Sequence, residues 1–230
     1  GDIGGGPMSG RDHFIEELNR QLETKTPVEI LDWVFRRWQP HQVLATSSFQ
    51  NQSIPFLHLL SSKQRSVPVL FLDTGFHFEE TLQFRDELSN VLGLNLRILR
   101  PQIFPPPELY RQDTDACCAL NKVRPLEQEL RSASVWLTGV RREQTSHRKK
   151  MSIVERHHTG VIKVNPVLDW TERDLVDYIK QHKYLPRHPL GMQGYESVGC
   201  RPCTTRGESR DGRWQGQEKT ECGIHGCPIR

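Results

Sequence analysis

The sequence predicts an α/β protein built on a doubly wound, mainly parallel sheet. Segments that favour strands alternate with segments that favour helices over residues 40–182, as in a sheet wound through crossover helices. The run VPVLFLDT at 67–74 is continuously apolar, which is typical of a strand covered on both faces. With 35% hydrophobic and 26% charged residues in a chain of 230, the composition is that of a globular domain with a sizeable core.

The first predicted elements are helical. Residues 12–38 have helical periodicity, and Pro27 stands where a first helical turn tolerates proline. Apolar residues recur after it at helical spacing: Val28, Leu31, Val34, Phe35 and Trp38. A short strand is then expected at 43–48, and a helix follows it at 52–64.

The later elements repeat this alternation. The strand at 67–74 leads into an amphipathic helix over HFEETLQFRDELSNVLG, and Gly93 is its expected end. Further strands are predicted at 94–101, 134–142 and 161–167, the second of them after an intervening helix. A last helix is expected at 171–182, where Thr171 stands three residues before Asp174 in a near capping box.

Charge and hydropathy guide which classes of partner are expected. The formal net charge of +3 is close to balance, so the sequence suits a small anionic substrate and gives no reason to expect nucleic acid. No apolar run approaches the roughly 20 residues that a membrane span needs, and no leader of the secretory type is present. We therefore expect a cytoplasmic protein with no membrane partner.

Two polar loops follow predicted strands at the carboxyl edge of the sheet, where open α/β sheets bind ligands. TSSFQNQS at 46–53 offers hydroxyls, amides and the start of a helix, which together can cradle an anion. Its candidate binding residues are Ser47, Ser48, Gln50, Gln52 and Ser53. The next strand ends in Asp73, Thr74 and Gly75 at the same edge. An ordinary polar turn and a helix cap are the alternative interpretations of these loops.

Basic residues follow the fourth predicted strand in GVRREQTSHRKK. Arg141 and Arg142 stand where this strand reaches the ligand edge, and Arg148 follows in the same segment. The planar guanidinium fork suits phosphate and sulfate oxygens. The neighbouring Lys149 and Lys150 are more typical of a solvated surface.

Four of the six cysteines form two close pairs, the adjacent Cys117 and Cys118 and the CxxC turn of Cys200 and Cys203. Four thiolates suit zinc or an iron–sulfur cluster. Adjacent cysteines fit the separate iron corners of a cubane better than one tetrahedral zinc ion, so the pattern favours a cluster and leaves zinc open. Disulfides are not expected, because adjacent cysteines bridge poorly and a chain of this size needs no staples.

Cys222 stands apart from these pairs, in the segment KTECGIHG. Nearby cations would lower the pKa of this thiol and make it nucleophilic, and Lys219 and His225 are close in sequence. The alternative is a free thiol on a tail without function. Cys227 has no evident role.

Several motifs taken together resemble those of assimilatory adenylyl-sulfate and phosphoadenylyl-sulfate reductases. In chain order they are LATSSF…QS, FLDTGFHFEET, GVRREQ…R, VNPVLDWTERDL, GYESVGCRPCT and GRWQGQEKTECGIHG. They span residues 43 to 226, and ECGIHG is the most specific of them. The resemblance implies a sheet of the adenine-nucleotide α-hydrolase (PP-loop) type.

The resemblance also implies a site. A [4Fe–4S] cluster would be bound by Cys117, Cys118, Cys200 and Cys203, and Cys222 would be the nucleophile. The phosphosulfate would be held by Lys122, Arg210, Arg213 and His225. The nucleotide and its anionic groups would be lined by the 46–53 loop, the LDTG turn, Arg141, Arg142 and Arg148. The implied reaction reduces adenylyl sulfate through an S-sulfocysteine, with thioredoxin or another thiol as the electron donor.

Cluster cysteines favour adenylyl sulfate as the substrate, since family members without them usually take its 3′-phosphorylated form. Two departures keep that form and dual specificity open: the loop SSFQNQS resembles that of the enzymes for the phosphorylated substrate, and Asn121 stands where cluster-bearing members commonly have arginine. An ATP pyrophosphatase of the same fold and a zinc-stabilised, nucleic-acid-binding module are remoter alternatives.

The chain is divided accordingly. Residues 1–11 are expected to be a disordered or expression-derived terminus, and 12–190 to form the nucleotide-binding α/β domain. Beyond about residue 186 the sequence becomes rich in glycine, proline and arginine and loses its periodicity. We therefore expect 191–230 to be an irregular tail of the same domain that carries cluster ligands and the nucleophile.

Overall fold

The computed structural model describes residues 10–101 and 123–192, and these form a six-stranded sheet with helices on both faces. Its strands are β1 (Val43–Thr46), β2 (Pro68–Leu72), β3 (Asn95–Leu99), β4 (Val135–Leu137), β5 (Val154–Arg156) and β6 (Ile162–Val164). The order across the sheet is β3-β2-β1-β4-β6-β5. All neighbouring pairs are parallel except β5 and β6, so the predicted α/β class with a mainly parallel sheet is confirmed.

The helices lie between the strands along the chain. They are α1 (Gly10–Leu22), α2 (Pro27–Arg37), α3 (Ile54–Lys63), α4 (Glu79–Leu92), α5 (Arg124–Leu130), α6 (Glu172–Gln181) and α7 (Pro189–Met192). Short 3₁₀ turns occur at Pro40–Gln42, Asn51–Ser53, Arg142–Gln144 and Arg148–Lys150. None of the helices in the described part of the chain has the length and apolar character needed to cross a membrane.

Two hydrophobic clusters cover the two faces of the sheet. Alternate residues of β1 divide between them, because successive side chains of a strand point to opposite faces. Val43 and Ala45 belong to the larger cluster, which includes residues of α1 to α4. Leu44 belongs to the smaller cluster, together with Trp136 and residues of α5. Burial on both sides explains why the central strands are apolar without alternation.

Capping residues set the ends of the helices. The predicted helical region 12–38 is two helices, because the Thr26 side chain accepts a hydrogen bond from the Glu29 N–H and starts α2 with a capping box. The predicted box at Thr171 and Asp174 is confirmed at the start of α6. Gly93 ends α4 as expected, in the left-handed conformation with φ of 66°.

The edge strand β5 was not expected from the sequence. Val154–Arg156 pairs antiparallel with β6, and Glu155 faces Lys163 in the register. On the outer side of β5 the amide of Asn19 in α1 takes both hydrogen-bonding groups of Val154. Asn19 Nδ2 donates to the Val154 carbonyl at 2.9 Å, and the Val154 N–H donates to Asn19 Oδ1 at 2.9 Å.

Candidate functional site

The strand order reverses between β1 and β4. The chain leaves β1 towards β2 on one side, and it leaves β4 towards β5 and β6 on the other. In open α/β sheets the crevice at such a switch point, outside the carboxyl ends of the strands, is where ligands bind. The loops after β1 and β4 therefore lie at the position that the fold favours for a site.

The loop after β1 is shaped by its own side chains. Ser47 Oγ accepts from the Phe49 N–H at 3.1 Å, and Ser53 Oγ accepts from the Gln50 N–H at 3.2 Å. Gln50 Nε2 donates to Ser48 Oγ at 3.2 Å. Phe49 adopts a left-handed φ of 51°, which costs a bulky residue on the order of 1 kcal/mol. Its fully buried ring, 5.8 Å from that of Phe71, holds the loop against the core.

The loop after β2 is a tight turn. Asp73 Oδ1 accepts from the Gly75 N–H at 2.9 Å, and Thr74 Oγ1 accepts from the Phe76 N–H at 3.2 Å. Gly75 has a φ of 80°, and a Cβ there would meet no atom within 4 Å. The glycine is therefore required by the backbone conformation of the turn, and it leaves open space at the sheet edge.

Gln144, which the sequence did not single out, joins the loops after β1 and β4. Its Nε2 donates to Gln52 Oε1 at 2.8 Å. Its Oε1 accepts from the Arg141 N–H at 3.0 Å and from Nη1 of the buried Arg148. This network lies across the switch point and brings Gln52 and Arg148 together, as the predicted site requires.

Arg141 and Arg142 contact the first residue of α6 and the segment just before it. The buried Arg141 places Nη2 at 3.1 Å from Glu172 Oε2 and donates from Nη1 to the Trp170 carbonyl. Arg142 Nε lies 2.8 Å from Asp169 Oδ1. Both side chains therefore have carboxylate partners within the protein, and their predicted contact with a nucleotide stays a prediction.

The other predicted site residues lie outside the described residues. These are Cys117, Cys118, Lys122, Cys200, Cys203, Arg210, Arg213, Cys222 and His225. Within 10–101 and 123–192, no group of three or more His, Cys, Asp or Glu side chains is arranged to hold a metal ion. The predicted metal ligands all lie in the remaining part of the chain.

Asn51 and His188 form a contact that the sequence did not predict, because 137 residues separate them. The His188 N–H donates to Asn51 Oδ1 at 2.6 Å, and Asn51 Nδ2 lies 3.4 Å from the His188 carbonyl. His188 Nδ1 accepts from the Leu190 N–H at 3.1 Å, so Nε2 carries the proton and donates to Thr81 Oγ1 at 2.7 Å. We call this arrangement the Asn51–His188 clamp.

The buried His188 and the partly buried His157 should make the folding stability depend on pH. Burial lowers the pKa of His188 to about 4, and burial, then His158 and Lys163, lower that of His157 to about 4. An ordinary histidine titrates near 6.5, so between these values the unfolded chain binds more protons and folding stability rises with pH. This contribution is complete above about pH 6.5 and is lost as the pH falls towards 4.

We therefore expect the urea midpoint of unfolding to be lower at pH 5 than at pH 7. A His157→Gln, His188→Gln variant should show a weaker pH dependence over the same interval. An equal pH dependence in both proteins would contradict this assignment.

The fold and its switch-point loops define a doubly wound α/β protein with a polar candidate site at the carboxyl edge of its sheet, and comparison with known proteins identifies the family. Residues 42–206 match the phosphoadenosine phosphosulfate reductase domain. The chain belongs to this family.

Relatives named adenosine 5′-phosphosulfate reductase match nearly the whole chain. The protein from Streptomyces coelicolor is 39% identical over 223 residues, which cover 92% of this chain and 93% of that relative. The protein from Mesorhizobium japonicum is 41% identical over 210 residues, 86% of this chain and 82% of the relative. The protein from Bacillus cereus is 34% identical over 221 residues, covering 90% and 94%.

Solved structures show the same fold. Phosphoadenylyl-sulfate reductase from Candida auris, in a phosphate complex, matches with a TM-score of 0.73 and 24% identity over 88% of this chain and 100% of that chain. FMN adenylyltransferase from Candida glabrata, with FMN and an ATP analogue, matches with a TM-score of 0.62 and 14% identity over 84% of this chain and 66% of that one. The PP-loop type of sheet that the sequence implied is confirmed.

Proposed function

We propose that the protein reduces adenylyl sulfate to sulfite and AMP in sulfate assimilation, with a thiol as electron donor. The observation that carries this proposal is the similarity, at 34–41% identity over most of the chain, to relatives named for that substrate. The site supports it, because the polar loop after β1 and Arg148 meet at the switch point of a nucleotide-binding sheet.

Cys222 supplies the nucleophile in this reaction. Its thiolate attacks the sulfur of adenylyl sulfate, a sulfur–sulfur bond forms, and the bridging sulfur–oxygen bond breaks so that AMP leaves with the electron pair. A donor thiolate, from thioredoxin or another thiol, then attacks the Cys222 sulfur, and sulfite leaves with the electron pair. A second donor thiol resolves the mixed disulfide, so the donor is oxidised to a disulfide and Cys222 is regenerated.

Cationic side chains balance the charge of the substrate. Lys122, Arg210, Arg213 and His225 would hold the phosphosulfate oxygens, where charge builds up as the bridging bond breaks. The Arg148 guanidinium is linked to the loop after β1 through Gln144, whereas Arg141 reaches Gln144 with its backbone N–H and directs its guanidinium to Glu172. We therefore expect Arg148 to contact an anionic group of the nucleotide.

The donor set of two cysteine pairs fits a [4Fe–4S] cluster bound by Cys117, Cys118, Cys200 and Cys203. When bound, the cluster would order these two segments and adjust the electrostatics around Lys122, which follows the first pair.

Anaerobically purified protein should contain about four iron and four labile sulfide atoms per chain. Cys203→Ser should lose most of both, because it removes one of the four ligands. Cys227→Ser, at a cysteine without an assigned role, should retain them. Colourless protein that contains zinc and no labile sulfide would contradict the cluster assignment.

The choice of substrate can be tested by the rate of sulfite release. With a thiol donor present, anaerobically purified protein should release sulfite from adenylyl sulfate faster than from its 3′-phosphorylated form. A preference for the phosphorylated form would show that the loop SSFQNQS, and not the cysteine pattern, indicates the specificity. Consumption of ATP without sulfite would contradict the proposed function.

A further inference from the structure

The Asn51–His188 clamp joins the loop after β1 to the segment that leads into residues 191–230. We infer that Asn51 is a positioning residue for the proposed reaction: it holds the substrate loop in its binding conformation by fixing it to His188. This inference rests on the proposed function and adds a residue to it. Asn51 lies in the 46–53 loop that was predicted to line the nucleotide, whereas His188 was not among the predicted site residues.

His188 is a fixed point to which the loop can be attached. It is 1% exposed, and its ring lies 5.4 Å from that of Phe84 in α4. Its Nε2 donates to Thr81, also in α4 and 1% exposed. The clamp therefore attaches the loop after β1 to α4, which follows β2 in the chain. This attachment is separate from the direct connection of the loop to α3.

The Asn51 side chain contacts the backbone N–H and carbonyl of His188, while the His188 side chain holds that backbone against α4. Asn51 Oδ1 and Nδ2 face the N–H and the carbonyl of one residue, as a neighbouring strand would. Of the two bonds, the one to Oδ1 is shorter, 2.6 Å against 3.4 Å. The acceptor on Asn51 is therefore the more important group.

A change in the position of Asn51 would also displace Gln52 and Arg148, which were predicted to bind the nucleotide and its anionic groups. Asn51 and Gln52 lie in one 3₁₀ turn, and Gln52 accepts from Gln144, which in turn accepts from Arg148. A turn released from His188 would shift Gln52 and loosen the placement of Arg148. Small displacements of binding groups cost much affinity when several contacts must be made together.

Steady-state kinetics with adenylyl sulfate test the inference. Asn51→Ala should raise KM on the order of tenfold and change kcat much less, because the substrate contacts are displaced while the nucleophile is unaltered. Asn51→Asp keeps the acceptor for the His188 N–H and should restore most of the lost affinity. Thr26→Ala is the control, since it removes a side-chain-to-backbone hydrogen bond at the start of α2 and should leave KM unchanged.

The outcomes separate the two proposals. Failure of the wild-type protein to release sulfite would overturn the proposed function and this inference with it. An active wild type together with an unchanged KM in Asn51→Ala would overturn the inference alone. The same rise of KM in Asn51→Ala and in Thr26→Ala would also overturn it, because it would reflect general destabilisation.

Discussion

The Cys222→Ser variant should form no sulfite adduct and should lose turnover by about 10³-fold or more, because a hydroxyl replaces the only group proposed to attack sulfur. The measurement is direct. Wild-type protein incubated with adenylyl sulfate and no thiol should gain the mass of one sulfite group, as read from the intact protein, and Cys222→Ser should keep its original mass.

A matched control is available five residues later in the chain. Cys227→Ser removes a second thiol from the same segment and should acquire the adduct as the wild type does. An adduct on Cys222→Ser would overturn the assignment of the nucleophile. Loss of the adduct from Cys227→Ser alone would move that role to Cys227.

The Trp136→Ala variant should lose about 3–5 kcal/mol of unfolding free energy, since it removes the largest fully buried side chain in the described part of the protein. Trp136 is 0% exposed in β4, and its Nε1 donates to Thr46 Oγ1 at 2.9 Å. The Lys163 ammonium lies 4.8 Å from the ring centroid. The substitution would leave a cavity, a threonine hydroxyl without this donor and a buried cation without its aromatic contact.

Urea unfolding measures this loss, and Trp38→Ala provides a comparison of the same residue type. Trp38 is only partly buried and packs against the edge of the larger cluster, with its ring 5.5 Å from that of Trp33. Its replacement should cost clearly less than that of Trp136. Equal losses of unfolding free energy in the two variants would show that the complete burial of Trp136 in β4 does not determine its contribution to stability.

Local signals in the sequence predicted most of the fold. The apolar run before Asp73, the capping box at Thr171 and the glycine at 93 each act within a few residues, and each is confirmed in the structure. β5 was missed because it has only three residues, and Glu155 and Arg156 give it no apolar alternation. Its pairing with β6 depends on the tertiary structure.

The candidate site was predicted only in part, because local signals place its loops but do not identify their distant partners. The polar loops could be placed at one edge, since parallel strands bring their carboxyl ends together. The partners of those loops could not be predicted, because Gln52 with Gln144 and Asn51 with His188 are contacts between distant parts of the chain. Arg141 shows the converse: its position after β4 is as expected, and its guanidinium contacts Glu172.

The contact between Asn19 and Val154 has a consequence for how the protein behaves at high concentration. An exposed edge strand can recruit a strand from another molecule and so begin aggregation. The amide of Asn19 occupies both groups that Val154 would offer to such a strand. The Asn19 side chain thus makes the hydrogen bonds that a neighbouring strand would make. A strand from another molecule could pair with this edge of β5 only after displacing Asn19.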